Sequence, residues 1–268
     1  MSPVDPVQEY AGLVAAVTGG GAGIGLAVVE ELVARGARVA ALDVDPSGAP
    51  DGVLAVPCDV RDRASVDAAI AAVVAELGQL DVVVNNAGIS AVGSVEDLSD
   101  EDWHRVLDVN VVGMARVSAA ALPHLRRSDA AAIVNTCSIA ALVGLPQRAL
   151  YAASKGAVLA LTFAMATDHV ADGIRVNCVS PGTVHTGFVD RMLATFPDPA
   201  KEKAAMDARQ AIGRMVTPEE VAVAVAYLAS PRAGSTTGTA LDVDGGATHL
   251  RARPVQQRDA DSGSGARA

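Results

Sequence analysis

Short apolar runs alternate along the chain with longer, alanine-rich segments. The runs are apolar throughout rather than at every second position, which is typical of strands buried on both faces of a sheet. The longer segments have the length and composition of helices. The pattern predicts strands at residues 13–17, 38–42, 53–56, 81–85, 132–135, 175–179 and 240–243. It predicts helices at residues 24–35, 64–77, 101–125, 151–171 and 218–229.

The regular succession of strand and helix predicts the fold class. A strand that is followed by a helix and a second strand pairs in parallel through a right-handed crossover. We therefore expect an α/β protein with a single Rossmann-type, doubly wound parallel sheet of about seven strands and helices on both faces. One domain should span residues 1–250, with a substrate lid at about 186–212. Residues 251–268 are polar and rich in Gly and Ser, and we expect a disordered tail there.

Two predicted helical stretches, 109–125 and 151–171, are apolar nearly all round. A helix that covers one face of a sheet needs a single apolar stripe. The high alanine content could blur the pattern. Otherwise the second apolar face of each helix is an interface between subunits.

Composition narrows the kind of partner. The formal net charge is −10 and no run is rich in Lys or Arg, so nucleic acid and anionic membrane surfaces would be repelled, and a small-molecule substrate fits better. Cys58, Cys137 and Cys178 lie far apart in apolar runs, which indicates buried, reduced thiols. The histidines have no metal-ligand spacing, so we expect no metal. The sequence predicts neither a signal peptide nor a membrane-spanning helix, and we expect a cytoplasmic protein.

The first strand runs into a glycine-rich turn, Thr18-Gly-Gly-Gly-Ala-Gly-Ile-Gly25, that opens a helix. Such a turn lets the backbone approach a pyrophosphate, which the N–H groups at the helix start can bind. Asp43 ends the second strand about 20 residues later, where a carboxylate accepts both hydroxyls of an adenosine ribose and repels a 2′-phosphate. The pattern predicts NAD rather than NADP. The alternative is that Asp43 merely caps a loop.

A second group of polar residues lies further along. Tyr151 and Lys155 are four residues apart in a helix, so both side chains lie on one face. A free phenol is almost wholly protonated at neutral pH, and a nearby ammonium stabilises the phenolate as a proton acceptor. Such a pair alone is more often a surface contact. Ser138, however, ends a strand on the carboxyl edge of the sheet, where open α/β sheets bind ligands.

With these motifs the chain resembles the short-chain dehydrogenase/reductases over roughly residues 9–247. The shared elements are the glycine-rich turn, Asn85-Asn-Ala-Gly88, Asn110, Ser138, Tyr151, Lys155 and Pro181-Gly182. The resemblance implies hydride transfer between NAD and a secondary alcohol or ketone. It also implies, together with the two apolar helices, a homotetramer or dimer. Cys137 departs from the pattern, since many members carry Ser there, and we assign it no role.

The same resemblance implies roles for single residues. Tyr151 would exchange the proton with the substrate oxygen, Lys155 would hold the nicotinamide ribose, and Ser138 would polarise the carbonyl. Asn110 would anchor a water-linked proton relay. Besides Tyr151 and Lys155, the predicted cofactor contacts at the pyrophosphate and adenosine ribose are Gly19, Gly21, Gly23, Ile24, Gly25, Asp43, Asn86, Ala87 and Gly88. By the same resemblance, Asp59 and Val60 should contact the adenine, and the nicotinamide should be surrounded by Pro181, Gly182, Val184 and Thr186.

Substrate identity is harder to predict. The chain looks most like the branch with 3-hydroxybutyrate and 2-keto-3-deoxy-L-fuconate dehydrogenases, in which arginines bind a substrate carboxylate. Arg148, Arg191 and Arg209 are the candidates here, with Ser138 and Tyr151 at the reacting carbon. We expect a sugar-derived or short hydroxy acid. The alternatives are a neutral aldose, as for L-fucose-type dehydrogenases, or a regulatory protein that senses the dinucleotide without chemistry.

Overall fold

Parallel strands form one seven-stranded sheet in the computed structural model, which describes residues 8–194 and 196–251, apart from the side chain of Phe188. The strands are β1 Val14–Thr18, β2 Arg38–Asp43, β3 Leu54–Pro57, β4 Val82–Asn85, β5 Ala132–Thr136, β6 Arg175–Pro181 and β7 Ala240–Val243. Their order is β3-β2-β1-β4-β5-β6-β7, and each neighbouring pair is parallel. The predicted α/β fold class is confirmed. Of the predicted tail, all but Arg251 lies outside the described residues.

Helices cover both faces of this sheet. Their bounds are α1 Gly23–Ala34, α2 Arg63–Leu77, α3 Asp100–Leu107, α4 Met114–Leu125, α5 Ala149–His169, α6 Gly187–Leu193, α7 Pro199–Asp207 and α8 Pro218–Ala229. Val28 of α1 and Val225 of α8 pack in one apolar cluster with Val17. Ile70 of α2 and Leu125 of α4 pack in a second cluster on other strand residues. The sheet therefore has an apolar core on each face, as strands without alternation predict.

The helix predicted over 101–125 is one continuous helical stretch from Asp100 to Leu125, but its centre is not α-helical. A π-helical segment, Asp108–Gly113, separates α3 from α4. Single π turns insert an extra residue into a helix and are common at functional sites. Asn110 lies in this segment and is buried, so the irregular turn carries a predicted site residue.

The predicted lid contains two short helices that the sequence pattern did not predict. Thr186 caps α6, and Asp198 with Pro199 begins α7. The two helices share a small apolar cluster made of Val189, Leu193, Met206 and Met215, with Met192 packed against it. The lid thus has a core of its own, separate from the two layers that cover the sheet.

The sequence predicts no membrane helix, but two helical segments are long and apolar enough to cross a membrane by length and composition alone, Asp100–Leu125 and Ala149–Asp172. This is weak evidence for a membrane location, because core helices pass the same test. Met165 on the second segment is buried in the core cluster under the sheet. Val112 and Phe163, in contrast, are 43% and 42% exposed. Each segment therefore packs on the sheet and leaves apolar side chains exposed.

The sheet order places a crevice at the carboxyl end of β1. After β1 the chain continues through a helix to β2, which pairs with one side of β1. β4 pairs with the other side of β1. In open α/β sheets this reversal of strand order leaves a gap between neighbouring loops, and ligands bind there. The predicted site residues that follow β1 and β4 flank this gap.

Candidate active site

The glycine-rich turn after β1 is shaped by positions that tolerate no side chain. Gly19 and Gly23 have φ of +65° and +56°, in the left-handed region that glycine favours. A Cβ on Gly25 would lie 1.9 Å from the carbonyl oxygen of Gly19. The N-cap residue of α1 is Ala22, which offers no side-chain cap, so the N–H groups of the first turn are available to an anion. This turn fits a pyrophosphate.

Thr18 and Asn86 join this turn to the segment after β4. The Thr18 hydroxyl accepts hydrogen bonds from the backbone N–H groups of Asn86 at 3.0 Å and Ala87 at 3.1 Å. The Asn86 amide donates to the carbonyl oxygens of Thr18 and Gly19 at 3.1 and 3.3 Å. The loops on both sides of the crevice are therefore held at a fixed separation.

Asp43 lies at the end of β2 beside the turn. Its carboxylate accepts hydrogen bonds from the N–H groups of Gly21 at 3.0 Å and Asp45 at 3.2 Å. A Cβ on Gly21 would lie 3.2 Å from Asp43 Oδ2, so the glycine lets this acid approach the turn. The loop-capping contact and the position predicted for ribose binding occur together in this one side chain.

The predicted adenine contacts have other partners in this structure. Arg61 holds the Asp59 carboxylate through Nε at 3.0 Å and Nη2 at 2.7 Å. These side-chain hydrogen bonds hold the pKa of Asp59 below its usual value. Val60 is buried against Gly113 of the π segment, where a Cβ would lie 2.9 Å from Val60 Cγ2.

Asn110, Tyr151 and Lys155 converge behind the crevice. Lys155 Nζ lies 5.7 Å from the centre of the Tyr151 ring and donates a 2.7 Å hydrogen bond to the carbonyl oxygen of Thr136. Asn110 Oδ1 accepts from the Ile89 N–H at 2.8 Å. A Cβ on Gly88 would lie 3.3 Å from Asn110 Oδ1 and 3.7 Å from Lys155 Nζ. The glycine thus lets the β4 loop approach both side chains.

Ser154 is a buried member of this group that the sequence reasoning missed. It accepts a 3.0 Å hydrogen bond from Asn110 Nδ2 and donates a 2.8 Å bond to the Tyr151 carbonyl oxygen. Its spacing of three residues from Tyr151 places it near the same helix face, which was the available signal. Ser154 therefore links the π segment to α5.

Ser138 follows β5 and begins a 3-10 turn. Its hydroxyl oxygen accepts a 3.2 Å hydrogen bond from the Ala140 N–H, which leaves the hydroxyl proton free to donate. Next to it the buried Cys137 thiol contacts the Lys155 carbonyl oxygen at 3.3 Å. The neighbouring Cys178 thiol, with smaller contributions from Ser138 and Lys155, lowers the pKa of Cys137 below its usual value. Cys58, Cys137 and Cys178 are all buried free thiols, as predicted.

The segment after β6 forms the opposite wall. The Gly182 N–H donates to the Val243 carbonyl oxygen at 3.0 Å, and Val184 pairs with Val216 in a short parallel bridge. The Thr186 methyl carbon lies 3.7 Å from the position of a Cβ on Gly23. Pro181 ends β6 directly before this segment. The predicted nicotinamide residues thus lie across the crevice from the glycine-rich turn.

Two of the three candidate arginines, Arg148 and Arg209, lie within electrostatic range of each other. Arg148 donates from Nη1 to the Ser90 hydroxyl and to the Ala91 carbonyl oxygen, both at 3.1 Å. Burial lowers the pKa of Arg148, Tyr151 opposes this shift, and the positive charge of Arg209 adds to it. Tyr151 and Arg209 therefore both influence the charge of Arg148. Arg191 Nη1 lies 3.4 Å from the position of a Cβ on Gly187, at the start of α6.

No group of three or more His, Cys, Asp or Glu side chains in residues 8–194 and 196–251 could hold a metal ion.

The chain belongs to the short-chain dehydrogenase/reductase family, as the sequence predicts. The family described as enoyl-(acyl carrier protein) reductase matches residues 19–248. A solved structure of the ligand-free aldohexose dehydrogenase of Thermoplasma acidophilum matches with a TM-score of 0.87 and 34% identity, over 93% of this chain and 98% of that one. The family and the fold are both confirmed by this likeness.

Several curated relatives are similar over nearly their whole length. The 2-(S)-hydroxypropyl-CoM dehydrogenase 3 of Xanthobacter autotrophicus is 41% identical over 88% of this chain and 97% of the relative. The L-fucose dehydrogenase of Mus musculus is 38% identical over 90% of each chain. The cis-4-hydroxycyclohexanecarboxylate dehydrogenase of Sinomonas cyclohexanicum is 40% identical over 90% of this chain and 98% of the relative. This protein is thus an oxidoreductase that acts on CH–OH groups of small molecules.

Proposed function

We propose that the protein is an NAD-dependent dehydrogenase for secondary alcohols that carry a carboxylate, such as a sugar-derived or short hydroxy acid. The observation that carries the substrate class is the pair Arg148 and Arg209. Neither guanidinium makes an ion pair with a carboxylate in the described residues, whereas arginines elsewhere, such as Arg35 and Arg116, do. Two cations that act on each other without a counterion would be stabilised by a bound anion.

Arg148 is suited to hold this anion. Only its Nη1 is used by Ser90 and Ala91, so Nη2 and Nε remain as a free fork. A carboxylate matches such a fork with two parallel hydrogen bonds. Arg148 is also the N-cap of α5, three residues before Tyr151, so an acid bound there would place its neighbouring hydroxyl near the phenol.

In the proposed reaction Tyr151 accepts the proton of the substrate hydroxyl, while Ser138 donates a hydrogen bond to the same oxygen. Lys155 stabilises the phenolate form of Tyr151 by its positive charge. Asn110 anchors the path by which the proton leaves. Bound NAD would accept the hydride from the substrate carbon, and the free N–H groups at the start of α1 would hold its pyrophosphate.

The preference for NAD over NADP rests on Asp43. Its carboxylate lies beside Gly21 at the position expected for the adenosine ribose, where a 2′-phosphate would meet a negative charge. No basic residue occurs in the turn between Gly19 and Gly25 that could pair with such a phosphate. Both features favour the unphosphorylated cofactor.

The test of the substrate class is a pair of assays with a hydroxy acid and its amide. We expect the KM of the acid to be lower by roughly tenfold or more, because a charge-assisted fork contributes about 1.5–3 kcal/mol. Arg148→Met should raise the KM of the acid and leave that of the amide unchanged. Arg127→Met is the matched control, since the Arg127 guanidinium bonds the Pro123 carbonyl oxygen and His124 at the end of α4. Equal KM values for acid and amide in the wild type would reject the acid substrate.

A neutral aldose is the second candidate, because the L-fucose and aldohexose dehydrogenases are among the similar proteins. A screen with NAD against hydroxy acids, L-fucose and other aldoses separates the two. A dinucleotide sensor without activity is disfavoured, since sensors of this kind usually lose acid and base residues, and Asn110, Ser138, Tyr151 and Lys155 are all present.

We also propose that the protein is cytoplasmic and assembles as a homotetramer or dimer through the residue stretches 109–125 and 151–171. The support is the exposed apolar surface of these stretches, for example at Val112 and Phe163. Light scattering gives the mass directly, and a monomer at micromolar concentration would contradict the assembly.

A further inference from the structure

Gln210 is a fully buried polar side chain at the base of the lid, and the proposed chemistry does not use it. It is 1% exposed. Its Nε2 donates to the carbonyl oxygens of Met206 at 3.0 Å and Arg214 at 3.3 Å, and its Oε1 accepts from the Thr183 N–H at 3.3 Å. One amide therefore joins the end of α7, the chain that leaves the lid, and the turn after β6.

The orientation of this amide follows from its neighbours. Met206 and Arg214 present carbonyl oxygens, which only accept, so the nitrogen must face them. Thr183 presents an N–H group, which only donates, so the oxygen must face it. A flipped amide would lose every one of these bonds. Gln210 thus connects Met206 and Arg214 to Thr183 in only one orientation of its amide.

The packing around Gln210 leaves little freedom. A Cβ on Gly182 would lie 3.3 Å from Gln210 Oε1, and a Cβ on Gly245 would lie 3.2 Å from Gln210 Cβ. Thr183 is fixed further by its carbonyl oxygen, which accepts from the Val216 N–H at 3.0 Å. The side chain lies between two backbone segments that carry glycine at the points of contact.

Arg209 is the residue directly before Gln210. Its N–H donates to the Met206 carbonyl oxygen at 3.2 Å, so that oxygen is shared by the Arg209 backbone and the Gln210 amide. Thr183, on the other side, lies between Gly182 and Val184, which we expect to face the nicotinamide. The Gln210 amide therefore links the segment of Arg209, a candidate ligand of the substrate anion, to the turn at Thr183, which we expect to lie beside the cofactor.

We propose that Gln210 is a positioning residue that fixes Arg209 relative to the turn at Thr183, so that the charged end of the substrate and the hydride acceptor keep one separation. This inference rests on the proposed function. Hydride transfer depends steeply on the distance and angle between the reacting atoms, so a small displacement of the anion site reduces turnover. Gln210 itself touches neither substrate nor cofactor in this role.

The test compares Gln210→Met and Gln210→Glu with the wild type. Gln210→Met keeps the length of the side chain and removes all three hydrogen bonds. We expect it to raise the KM of the acid and to lower kcat, each by about tenfold, with the KM of the amide within about twofold. The primary deuterium isotope effect on kcat should rise, because hydride transfer becomes slower than product release. The Kd of NADH, measured by fluorescence, should change by less than about threefold.

Gln210→Glu adds an ionisable group at the same position, and its melting temperature measured over the same pH range separates loss of the fold from loss of turnover. The protonated carboxyl can still accept from Thr183 and donate to Met206 or Arg214, whereas the carboxylate would face two carbonyl oxygens. We expect a new ionisation in the pH profile of kcat/KM, with activity lost as pH rises. Neither the wild type nor Gln210→Met should show it. This variant also keeps the test open if Gln210→Met folds poorly.

Asn177→Leu is the matched control. Asn177 is a buried amide on β6 that bonds Thr236 and Thr239, so its loss costs stability without reaching the site. If Gln210→Met lowers the melting temperature as Asn177→Leu does and leaves the KM values and the isotope effect unchanged, the positioning role is rejected. A wild type that treats acid and amide alike rejects the acid substrate instead, and the isotope effect and the new ionisation still decide the role of Gln210.

Discussion

The Nδ2 group of Asn110 donates a 3.0 Å hydrogen bond to the hydroxyl oxygen of Ser154, 44 residues further along the chain. The same hydroxyl donates to the Tyr151 carbonyl oxygen at 2.8 Å. One buried serine therefore holds the π segment against the first turn of α5. The position of Asn110 relative to Tyr151 depends on this link.

We expect Ser154→Ala to lower kcat by about tenfold while the Kd of NADH stays within about threefold, because Asn110 loses the acceptor that orients it. The free energy of unfolding should fall by about 1–2 kcal/mol. Steady-state kinetics and denaturant titration measure the two effects. Ser118→Ala is the control, since Ser118 is a buried serine that accepts from Asn85 and lies outside the site. A variant with wild-type kcat would show that Asn110 needs no such support.

Tyr151→Phe should retain NADH binding and lose turnover by a factor of about 10² to 10⁴, the usual contribution of a general acid/base group. The phenyl ring keeps its packing while the proton acceptor is removed. Fluorescence titration with NADH and an NADH production assay separate binding from catalysis. The exposed Tyr227 provides the control variant Tyr227→Phe, which should behave as the wild type. Unchanged NADH production by Tyr151→Phe would reject its catalytic role.

The strands and most helices could be predicted from the sequence, because apolar runs without alternation belong to a sheet covered on both faces. The strand at residues 240–243 and the helix at 218–229 match the structure at both ends. The π segment at Asp108–Gly113 could not be predicted, since it differs from an α-helix by one inserted residue and leaves the apolar pattern of the segment intact. α6 and α7 are short and polar outside their shared cluster, so their periodicity is weak.

Part of the candidate site could also be predicted from the sequence. Residues in local motifs, such as Gly25 or the pair Tyr151 and Lys155, can be recognised from their spacing along the chain. Gln210 belongs to no such local motif, because its partner Thr183 lies 27 residues away and the contact forms only when the lid is folded. Arg191 was grouped with Arg148 and Arg209 through the family resemblance and its position in the loop after Thr186, and its role stays a prediction.

Asp43→Ala should reduce the ratio of kcat/KM for NAD to that for NADP by roughly 10- to 100-fold, because a negative charge that repels the 2′-phosphate is removed. The substitution also removes a hydrogen-bond acceptor for the ribose hydroxyls of NAD, and this lowers the ratio further. Asp45→Ala is the control, because Asp45 is a neighbouring exposed acid that caps Ser47 and should leave the ratio nearly unchanged. An unmoved ratio in Asp43→Ala would remove this carboxylate from cofactor selection.

The contacts of Glu220 predict how the stability of the fold changes at acidic pH. It completes a capping box with Thr217 at the start of α8 and receives two hydrogen bonds from Arg214, at 2.9 and 2.6 Å. The Arg214 bonds, followed by the Thr217 N–H, lower the Glu220 pKa from 4.5 to about 2. A carboxyl group with a depressed pKa in the folded state stabilises the fold above the unfolded value, and this stabilisation is lost as pH falls from about 4.5 toward 2.

Glu220→Gln should therefore lower the free energy of unfolding at pH 7 by about 1 kcal/mol, mainly because the negative charge at the helix N-terminus is lost, since a Gln side chain can still complete the capping box. The ion pair adds little, because the Arg214 and Glu220 side chains are 52% and 41% exposed. The melting temperature should fall by about 2–4 °C at pH 7, and the difference from the wild type should shrink as pH approaches 2. Glu219→Gln changes the net charge equally on an exposed neighbour, so it should follow the wild type. A difference between Glu220→Gln and wild type that stays constant down to pH 2 would show that the ionised carboxylate does not stabilise the helix start.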